Sequence, residues 1–493
     1  ILSDIFLVFK RICKTVLMFI FHFFYRTCLF YFSPFDKFYF NFTSNTSIAQ
    51  ADTSSNVQRL KWWQDAKFGL FLHWGLYSQA AGVWNGHPYK GNEHFMIYEK
   101  LSIKEYGSIA NDFNPTKFNA DQWVMYAKNA GMKYIVITTK HHDGFAMFNS
   151  PSNNYNIVKR TPWKKDPIKE LAEACKKHGM KLGFYYSLGR DWQDPDVPTN
   201  WPTKGGRSNL VDYPNEDIKD LNKYIERKVK PQILELLTQY GPIAVLWFDT
   251  PELFTKEQSE EVLNLIRKLQ PDCIVNSRIG NGLGDYKVSE QHITDTAVLS
   301  PWEACITISK GWGYNRFDTS WKSPELLVRQ LVEIVSKGGN LLLNVGPKGT
   351  GEFPPQAVER LKAIGDWMKI NSECIYDTKP WEITSEQVSD LTQSNAVVHD
   401  ALGDVTSKVI LPDIYFTSKG NTVYVIARSW KDASLSVKSL ATNKHSIASV
   451  KLLGSKSTIK WKADEDGLTI RMPMKKCLPK VVPVYVFKVV LKN

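Results

Sequence analysis

Between residues 57 and 375, short apolar runs alternate with stretches whose apolar residues recur at helical spacing. Several of the helical stretches end in glycine, which favours a helix C-terminus. The alternation is typical of β/α units in a parallel sheet. The runs that we predict to be strands are residues 68–75, 134–144, 181–188, 243–249, 273–278 and 340–346.

The spacing of these runs decides between two parallel architectures. Strand ends lie roughly 30 to 70 residues apart, which suits an eight-stranded (β/α)8-like barrel better than a doubly wound sheet. No Gly-x-Gly-x-x-Gly motif follows a strand, as a doubly wound dinucleotide-binding sheet would require. We therefore predict an α/β chain with a parallel barrel over residues 52–375.

The pattern changes at about residue 376. From there to residue 493, short runs of alternating apolar and polar residues are separated by turn residues. Such a pattern predicts strands with one buried face. We expect a C-terminal antiparallel β-sandwich.

The first 51 residues are apolar and rich in Phe, with basic residues every few positions. Ala49-Gln50-Ala51 has the small-x-small pattern of a signal-peptide cleavage site. The basic residues interrupt the apolar run, so we expect no stable membrane insertion. The segment is interpreted as a signal or targeting sequence, or as upstream sequence translated in error. Export predicts a secreted, periplasmic or lysosome-like location.

The chain carries a formal net charge of +12, a value that raises the question of a nucleic-acid partner. Its basic residues are spread along the sequence rather than clustered in a recognised binding motif. We therefore predict no nucleic-acid binding. Hydrophobic residues make up 43% and charged residues 23%, which indicates a globular chain.

The active sites of parallel barrels gather at the carboxyl ends of the strands, so the residues that close each run are the candidates. Any one of them is explained most simply as a satisfied structural residue. Their convergence on one mouth instead predicts a binding pocket. The candidates are His73, Trp74, His141, His142, Asp143, Tyr185, Tyr186, Trp247, Asp249 and Arg278.

Asp249 follows the apolar run IAVLWF directly. It either caps the following helix or presents its carboxylate to the barrel mouth. A carboxylate nucleophile in a retaining glycosidase needs a second carboxyl group about 5 to 5.5 Å away. Glu290 and Glu303 are candidates downstream in the sequence.

Six motifs in order resemble the α-L-fucosidases of glycoside hydrolase family 29. The resemblance covers about residues 57–375, and the ordered set is far more specific than any single motif. The motifs are WWQDAKFGLFLHWG (62–75), YIVITTKHHDGFAMFNS (134–150), GFYYSL (183–188), LWFDT (246–250), PWEACITISKGWGYNR (301–316) and GGNLLLNVGP (338–347).

The resemblance implies a retaining exo-α-L-fucosidase that acts on fucosylated oligosaccharides or glycoconjugates. It assigns the nucleophile to Asp249 and favours Glu303 as general acid/base, with Glu93 as the competing candidate. It implies no metal or cofactor. Members of the family often form dimers or larger assemblies, so a homo-oligomer is compatible with it. The implied sugar-contacting residues are His73, His141, His142, one of Tyr185 and Tyr186, Trp247 and Arg278, with Trp312 beside the catalytic loop.

Two other classes of function were weighed against this one. A metal-dependent hydrolase could use His73, His141, His142 and Asp143. Adjacent histidines on a strand point to opposite faces, which disfavours one shared metal unless the strand has already ended. A sugar-binding protein without catalysis would not need both carboxylates. The linkage preference is set by loops and is not predicted.

Overall fold

The structure is a computed structural model. It describes residues 45–198, 209–251, 253–387, 395–399, 405–410, 413–428, 434–471, 473–474 and 478–492, with side chains from residue 56 onward except in residues 395–399 and 405–410. Residues 1–55 and 56–493 form two compact units. Most of the predicted targeting segment therefore lies outside the described residues. Within the described part, no helix is long and apolar enough to cross a bilayer.

A parallel barrel of eight strands forms the first part of the second unit. The sheet order is β5-β4-β3-β2-β1-β8-β7-β6, and a parallel bridge between Asn276 and Tyr286 joins its two ends. This is the predicted (β/α)8-like architecture, although β6 and β7 were not among the predicted strands. The strands are β1 (Phe68–Leu72), β2 (Tyr134–Lys140), β3 (Lys181–Ser187), β4 (Val245–Asp249), β5 (Ile274–Val275), β6 (Lys287–Glu290), β7 (Trp302–Thr307) and β8 (Asn340–Val345).

Local sequence signals define the helices around the barrel. In α3, the Asp166 side chain accepts hydrogen bonds from the backbone N–H groups of Ile168 and Lys169, and the helix ends at Gly179 in the left-handed region. The longer helices are α1 (Asn45–Ala66), α2 (Ala120–Asn129), α3 (Pro167–His178), α4 (Lys230–Gln239), α5 (Lys256–Leu269), α6 (Pro324–Ser336) and α7 (Pro355–Asn371).

Strand alternation divides the barrel core into two layers. In β3, Phe184 and Tyr186 belong to the layer packed against the helices, whereas Tyr185 belongs to the layer inside the barrel. Trp63 of α1 joins the inner layer, with its ring 4.4 Å from that of Tyr286. The amino end of the barrel is therefore filled with aromatic side chains.

The C-terminal strands are all antiparallel, in a five-stranded sheet (β9-β12-β13-β18-β15), a three-stranded sheet (β14-β17-β16) and a hairpin (β10-β11). The two larger sheets share a core that includes Phe416 and Leu468, as a β-sandwich requires. The five-stranded sheet packs on the barrel helices, where Trp367 Nε1 donates to the Val484 carbonyl at 2.7 Å. The strands are β9 (Lys379–Glu386), β10 (Asn395–His399), β11 (Val405–Ile410), β12 (Ile414–Lys419), β13 (Thr422–Arg428), β14 (Ser434–Val437), β15 (Ile447–Leu452), β16 (Trp461–Asp464), β17 (Gly467–Arg471) and β18 (Val484–Leu491).

Candidate active site

A cavity of about 410 Å³ lies at the carboxyl end of the barrel strands. Of the predicted candidates, Trp74, Asp143, Tyr186 and Glu303 do not line it and all the others do, so the strand-end argument found most of the pocket. The lining residues are Phe71, His73, Glu93, His94, His141, His142, Tyr185, Arg190, Trp247, Asp249, Thr250, Pro251, Ser277, Arg278, Glu290 and Trp312.

Asp249 is the last residue of β4, and its carboxylate is held from several sides. Tyr185 donates its hydroxyl to Oδ2 at 2.8 Å, and Arg278 Nη1 donates to Oδ1 at 2.7 Å. The backbone N–H of Thr250 donates to Oδ1 at 3.0 Å, and Thr250 adopts a left-handed φ of 56°. The N-cap of α5 is Thr255, so the helix-cap interpretation of Asp249 is wrong. A strained residue beside a fixed carboxylate is typical of a functional site.

The charge state of Asp249 follows from these contacts. Burial alone would raise the pKa of this carboxyl, but Arg278, the Tyr185 hydroxyl and Arg190 together hold it below the ordinary value of 3.8. Asp249 is therefore ionised at neutral pH. An ionised carboxylate aimed at the mouth of an otherwise closed barrel is suited to attack an electrophilic carbon.

Three histidines of the pocket, His73, His141 and His142, are neutral at neutral pH. Burial lowers the pKa of His73 to about 4 and lowers the pKa values of His141 and His142 well below 6.5. His73 Nδ1 lies 2.7 Å from Asn344 Oδ1, and His142 Nδ1 lies 2.7 Å from Ser187 Oγ. Neutral imidazoles can both donate to and accept from uncharged hydroxyl groups.

One ring nitrogen of this group lacks a partner. Nδ1 of His141 is buried and forms no hydrogen bond within the described part of the chain. An unsatisfied buried polar atom is costly, and a ligand hydroxyl would satisfy it.

Aromatic rings form the apolar wall of the pocket. Tyr185 and Trp247 stack with centroids 5.5 Å apart, Phe71 lies 5.0 Å from Trp247, and His73 lies 4.9 Å from Trp312. Flat rings of this kind receive the C–H faces of a pyranose, and the neighbouring polar groups orient it.

Two further carboxyl groups line the pocket. Glu290, the last residue of β6, accepts a hydrogen bond from Arg278 Nη2 at 2.5 Å, and its side chain is 28% exposed. Glu93 is buried, accepts from the Gly313 backbone N–H at 3.0 Å, and has its pKa raised by burial to about 7. One guanidinium thus connects Asp249 with Glu290, while Glu93 lies beside the loop that carries Trp312.

Glu303 does not line the pocket. It is the second residue of β7, with no exposed surface, and accepts hydrogen bonds from the Tyr134 hydroxyl at 2.6 Å and from Trp247 Nε1 at 2.9 Å. It lies four positions before Thr307 at the carboxyl end of the strand, a rise of roughly 13 Å. The geometry therefore gives the acid/base prediction for Glu303 no support and connects this residue to the underside of Trp247 instead.

Tyr186 also differs from the expectation, because strand alternation turns it away from the pocket. Its hydroxyl donates to Gln232 Oε1 at 2.8 Å, and Lys140 Nζ lies 4.3 Å from its ring centroid. Of the two tyrosines, Tyr185 is the pocket residue.

The metal alternative involves a different set of residues from the predicted one. Asp143 accepts hydrogen bonds from the Tyr106 hydroxyl and the Phe145 backbone N–H, and it does not line the pocket. β2 ends at Lys140, so His141 and His142 follow the strand and both reach the pocket, which is the exception to the opposite-face argument. Ring nitrogens of His94, His141 and His142 lie within 4.8 Å of one another, so these three residues could hold a metal ion.

His94 and Arg190 were not predicted. His94 lies in a short 3₁₀ turn at residues 92–94, where no strand-end signal exists. Arg190 follows β3 by three residues, so extending the strand-end rule into the loop would have found it.

Comparison with known proteins now adds to this geometry. A family model described as alpha-L-fucosidase matches residues 41–373, and a model of the alpha-L-fucosidase C-terminal domain matches residues 407–490. Human tissue alpha-L-fucosidase is 30% identical over 449 residues, covering 86% of each chain.

Solved structures show the same relationship. Isoenzyme 1 of the Paenibacillus thiaminolyticus alpha-L-fucosidase aligns with a TM-score of 0.76 and 30% identity, covering 89% of this chain and all of that one. A Lactobacillus casei alpha-L-fucosidase in complex with alpha-L-fucose product aligns with a TM-score of 0.59 and 39% identity, covering 63% of this chain and 98% of that one. The chain therefore belongs to the α-L-fucosidase family, glycoside hydrolase family 29, and is a glycoside hydrolase.

Proposed function

We propose that the protein is a retaining exo-α-L-fucosidase that removes terminal α-L-fucose from glycans, with Asp249 as nucleophile. The observation that carries the proposal is the Asp249 carboxylate, ionised and oriented by Tyr185, Arg278 and Thr250 in a sugar-sized pocket at the carboxyl end of the barrel. Membership of the α-L-fucosidase family supports the choice of sugar.

In the first step, Asp249 attacks the anomeric carbon while a general acid protonates the departing glycosidic oxygen. The C1–O bond to the aglycone breaks and a fucosyl ester of Asp249 forms. In the second step the same group removes a proton from water, which attacks C1, releases Asp249 and restores the α configuration.

We assign the acid/base role to Glu290 rather than Glu303. Glu290 ends a strand at the pocket, shares Arg278 with the nucleophile, and is exposed enough to exchange protons with water. Glu93 remains the competing candidate, because its raised pKa keeps much of it protonated near pH 7. Its burial and its bond to Gly313 favour instead a role as a donor to a sugar hydroxyl.

The neutral histidines and the aromatic wall are proposed to select the sugar. His73, His141 and His142 bind hydroxyls, and an incorrect sugar would leave these buried groups unpaired. The rings of Phe71 and Trp312 are suited to receive an apolar substituent such as a C5-methyl group.

The test is hydrolysis of 4-nitrophenyl α-L-fucoside, with the β-L-fucoside and the α-galactoside as controls. We expect release from the α-fucoside alone. Hydrolysis of the α-galactoside at a similar rate would refute the proposed specificity. A chelator arm tests the metal alternative: activity that falls on EDTA treatment and returns with Zn²⁺ would favour the three-histidine group as a catalytic metal site.

Glu303→Gln should leave the chemistry nearly intact and change the pH dependence of stability. Burial raises the pKa of Glu303 to about 7 in the folded protein, from an ordinary 4.5. Its protonation thus contributes stability that is complete below about pH 4.5 and is lost as the pH rises through about 7, in total roughly 3 kcal/mol. A permanently neutral Gln does not lose this contribution.

Urea unfolding at pH 5 and pH 8 measures the effect. The free energy of unfolding of the variant minus that of the wild type should be larger at pH 8 than at pH 5. If this difference in unfolding free energy is the same at pH 5 and pH 8, and kcat falls by about 100-fold or more, Glu303 would instead be the acid/base.

For the location of the protein, we propose export, on the basis of the N-terminal sequence pattern. Expression with residues 1–51 present, followed by N-terminal sequencing of protein from the medium, tests it. Recovery of the protein only from inside the cell, with residues 1–51 still attached, would contradict the proposal.

A further inference from the structure

The residues that directly follow the two proposed catalytic carboxylates share an unusual backbone conformation. Of the eight residues that come directly after the barrel strands, all of which the structure describes, only Thr250 and Gln291 have left-handed φ values, 56° and 53°. Neither is a glycine or an asparagine, the types that adopt this conformation most readily. Thr250 follows Asp249, and Gln291 follows Glu290. This conformation therefore marks the two strand ends that carry the proposed nucleophile and acid/base.

The side chain of Gln291 takes over a hydrogen bond of the sheet. The Gln291 backbone N–H donates to the Cys305 carbonyl of β7 at 2.9 Å, as in a regular parallel ladder. The next hydrogen bond of such a ladder would run from the Thr307 backbone N–H to the Gln291 backbone carbonyl. The Thr307 N–H donates instead to Oε1 of the Gln291 side chain, at 3.2 Å. The left-handed turn thus ends β6 without leaving the Thr307 N–H unsatisfied.

A second hydrogen bond fixes the same side chain. Gln291 Nε2 donates to Thr307 Oγ1 at 2.9 Å, so both ends of the amide group contact one residue. Thr307 is buried, and its hydroxyl donates in turn to the Ser309 carbonyl at 2.6 Å. Lys322 Nζ donates to the Thr307 carbonyl at 2.5 Å and lies 3.3 Å from the Thr307 hydroxyl oxygen. The residue that anchors Gln291 is therefore itself fixed by contacts with two others.

The end of β6 needs support of this kind. β6 has four residues, KVSE, and contributes little apolar surface to the barrel core. It pairs with β7 along one edge, and its other edge is joined to the barrel through the bridge between Asn276 and Tyr286. A general acid must lie within hydrogen-bond distance of the leaving oxygen, and a misplacement of about 1 Å can lower the rate by about 100-fold. The placement of Glu290 therefore depends on what holds the residue after it.

We propose that Gln291 is a positioning residue for the acid/base. Its left-handed turn and its contact with Thr307 hold Glu290 at the distance from the glycosidic oxygen that proton transfer requires. Gln291 is not among the residues that line the active-site pocket, so it acts through Glu290 and not on the sugar. The inference rests on the proposed function, and in particular on the assignment of Glu290 as acid/base.

Two substrates separate protonation from the other steps. A fucosylated oligosaccharide that the wild type cleaves needs a proton on its departing oxygen, whereas α-L-fucosyl fluoride releases a fluoride ion without one. Gln291→Gly removes the contact with Thr307 and keeps a backbone that tolerates the left-handed turn. We expect kcat/KM for the oligosaccharide to fall by about ten- to 100-fold, and that for the fluoride to stay within about twofold of the wild type.

Thr307→Val tests the same contact from the other strand. It removes the hydroxyl that accepts from Gln291 Nε2 and keeps the backbone N–H. It should lower kcat/KM for the oligosaccharide selectively, by a smaller factor. The double variant should be no slower than Gln291→Gly alone, because both substitutions break one contact.

Lys164→Gly is the matched control. Lys164 is exposed, has a left-handed φ of 58° and lies outside the pocket, so its replacement by glycine should change neither rate. Inhibition by L-fucose provides a readout of the sugar site itself. The inhibition constant of L-fucose should be the same for the wild type, Gln291→Gly and Lys164→Gly.

Equal losses on both substrates in Gln291→Gly, weaker inhibition by L-fucose, or unchanged rates would each overturn the inference. Glu290→Ala, measured alongside, distinguishes this failure from that of the proposed function. If Glu290→Ala separates the two substrates and Gln291→Gly does not, only the positioning role is wrong. If Glu290→Ala does not separate them either, the acid/base assignment fails and the inference fails with it.

Discussion

Asp249→Ala should lower kcat by roughly 10⁴-fold or more on every fucoside. The substitution removes the atom that forms the covalent intermediate, and it leaves Arg278 and the Tyr185 hydroxyl without their shared acceptor. The effect should be the same for substrates with good and poor leaving groups, because a nucleophile is required for both. Rates measured with 4-nitrophenyl α-L-fucoside and with a fucosylated oligosaccharide check this.

Added azide makes the Asp249 prediction specific. In Asp249→Ala, azide can enter the space that the removed carboxylate occupied and attack C1 once. The product is β-L-fucosyl azide, with inverted configuration. Glu303→Gln is the matched control, since it neutralises a buried carboxyl that lies outside the pocket, and it should form no azide adduct. An Asp249→Ala variant with near-normal kcat would remove the nucleophile assignment.

Glu290→Ala should have an effect that depends on the leaving group. For oligosaccharides, whose glycosidic oxygen must be protonated, we expect kcat/KM to fall by about 10²- to 10⁴-fold. The leaving group of α-L-fucosyl fluoride is a fluoride ion, which departs without being protonated. The first step with this substrate should therefore be nearly unaffected. Comparison of the two substrates in one variant measures the contribution of protonation directly.

The product formed with azide distinguishes Glu290 from Glu93. In Glu290→Ala, azide replaces the activated water in the second step, so α-L-fucosyl azide with retained configuration should appear. Glu93→Gln, the matched control, should weaken sugar binding without forming this product. If the Glu93 variant forms α-L-fucosyl azide with retained configuration and the Glu290 variant does not, the two roles are reversed.

The strand-end rule explains which parts of the site could be predicted from the sequence. His73 directly follows an apolar strand, Asp249 ends one, and Tyr185 and Trp247 each lie two residues before a strand end. A parallel barrel brings these strand ends together whatever the loops do. The two carboxyl candidates could not be separated in this way. The residues of β6, KVSE, are too short and polar to be recognised as a strand, so Glu290 did not stand out as a strand end.

A second strand that the sequence analysis did not identify, β7, explains the wrong placement of Glu303. The sequence WEACIT contains the residues of β7, but without its boundaries Glu303 could be assigned to a catalytic loop as readily as to the amino end of a strand. His94 lies in a short 3₁₀ turn between strands, and the position of this turn depends on long-range contacts such as that between Asn92 and Asn315.

The most direct test of the central claim is to trap the intermediate with 2-deoxy-2-fluoro-α-L-fucosyl fluoride and map the label by mass spectrometry. The fluorine at C2 slows hydrolysis of the glycosyl ester, so the covalent enzyme should accumulate. We predict one fluorofucosyl group per chain, attached to Asp249 and absent from Asp249→Ala. A label on Glu93 or Glu290, or turnover of fucosides with inverted configuration and no label, would contradict the account.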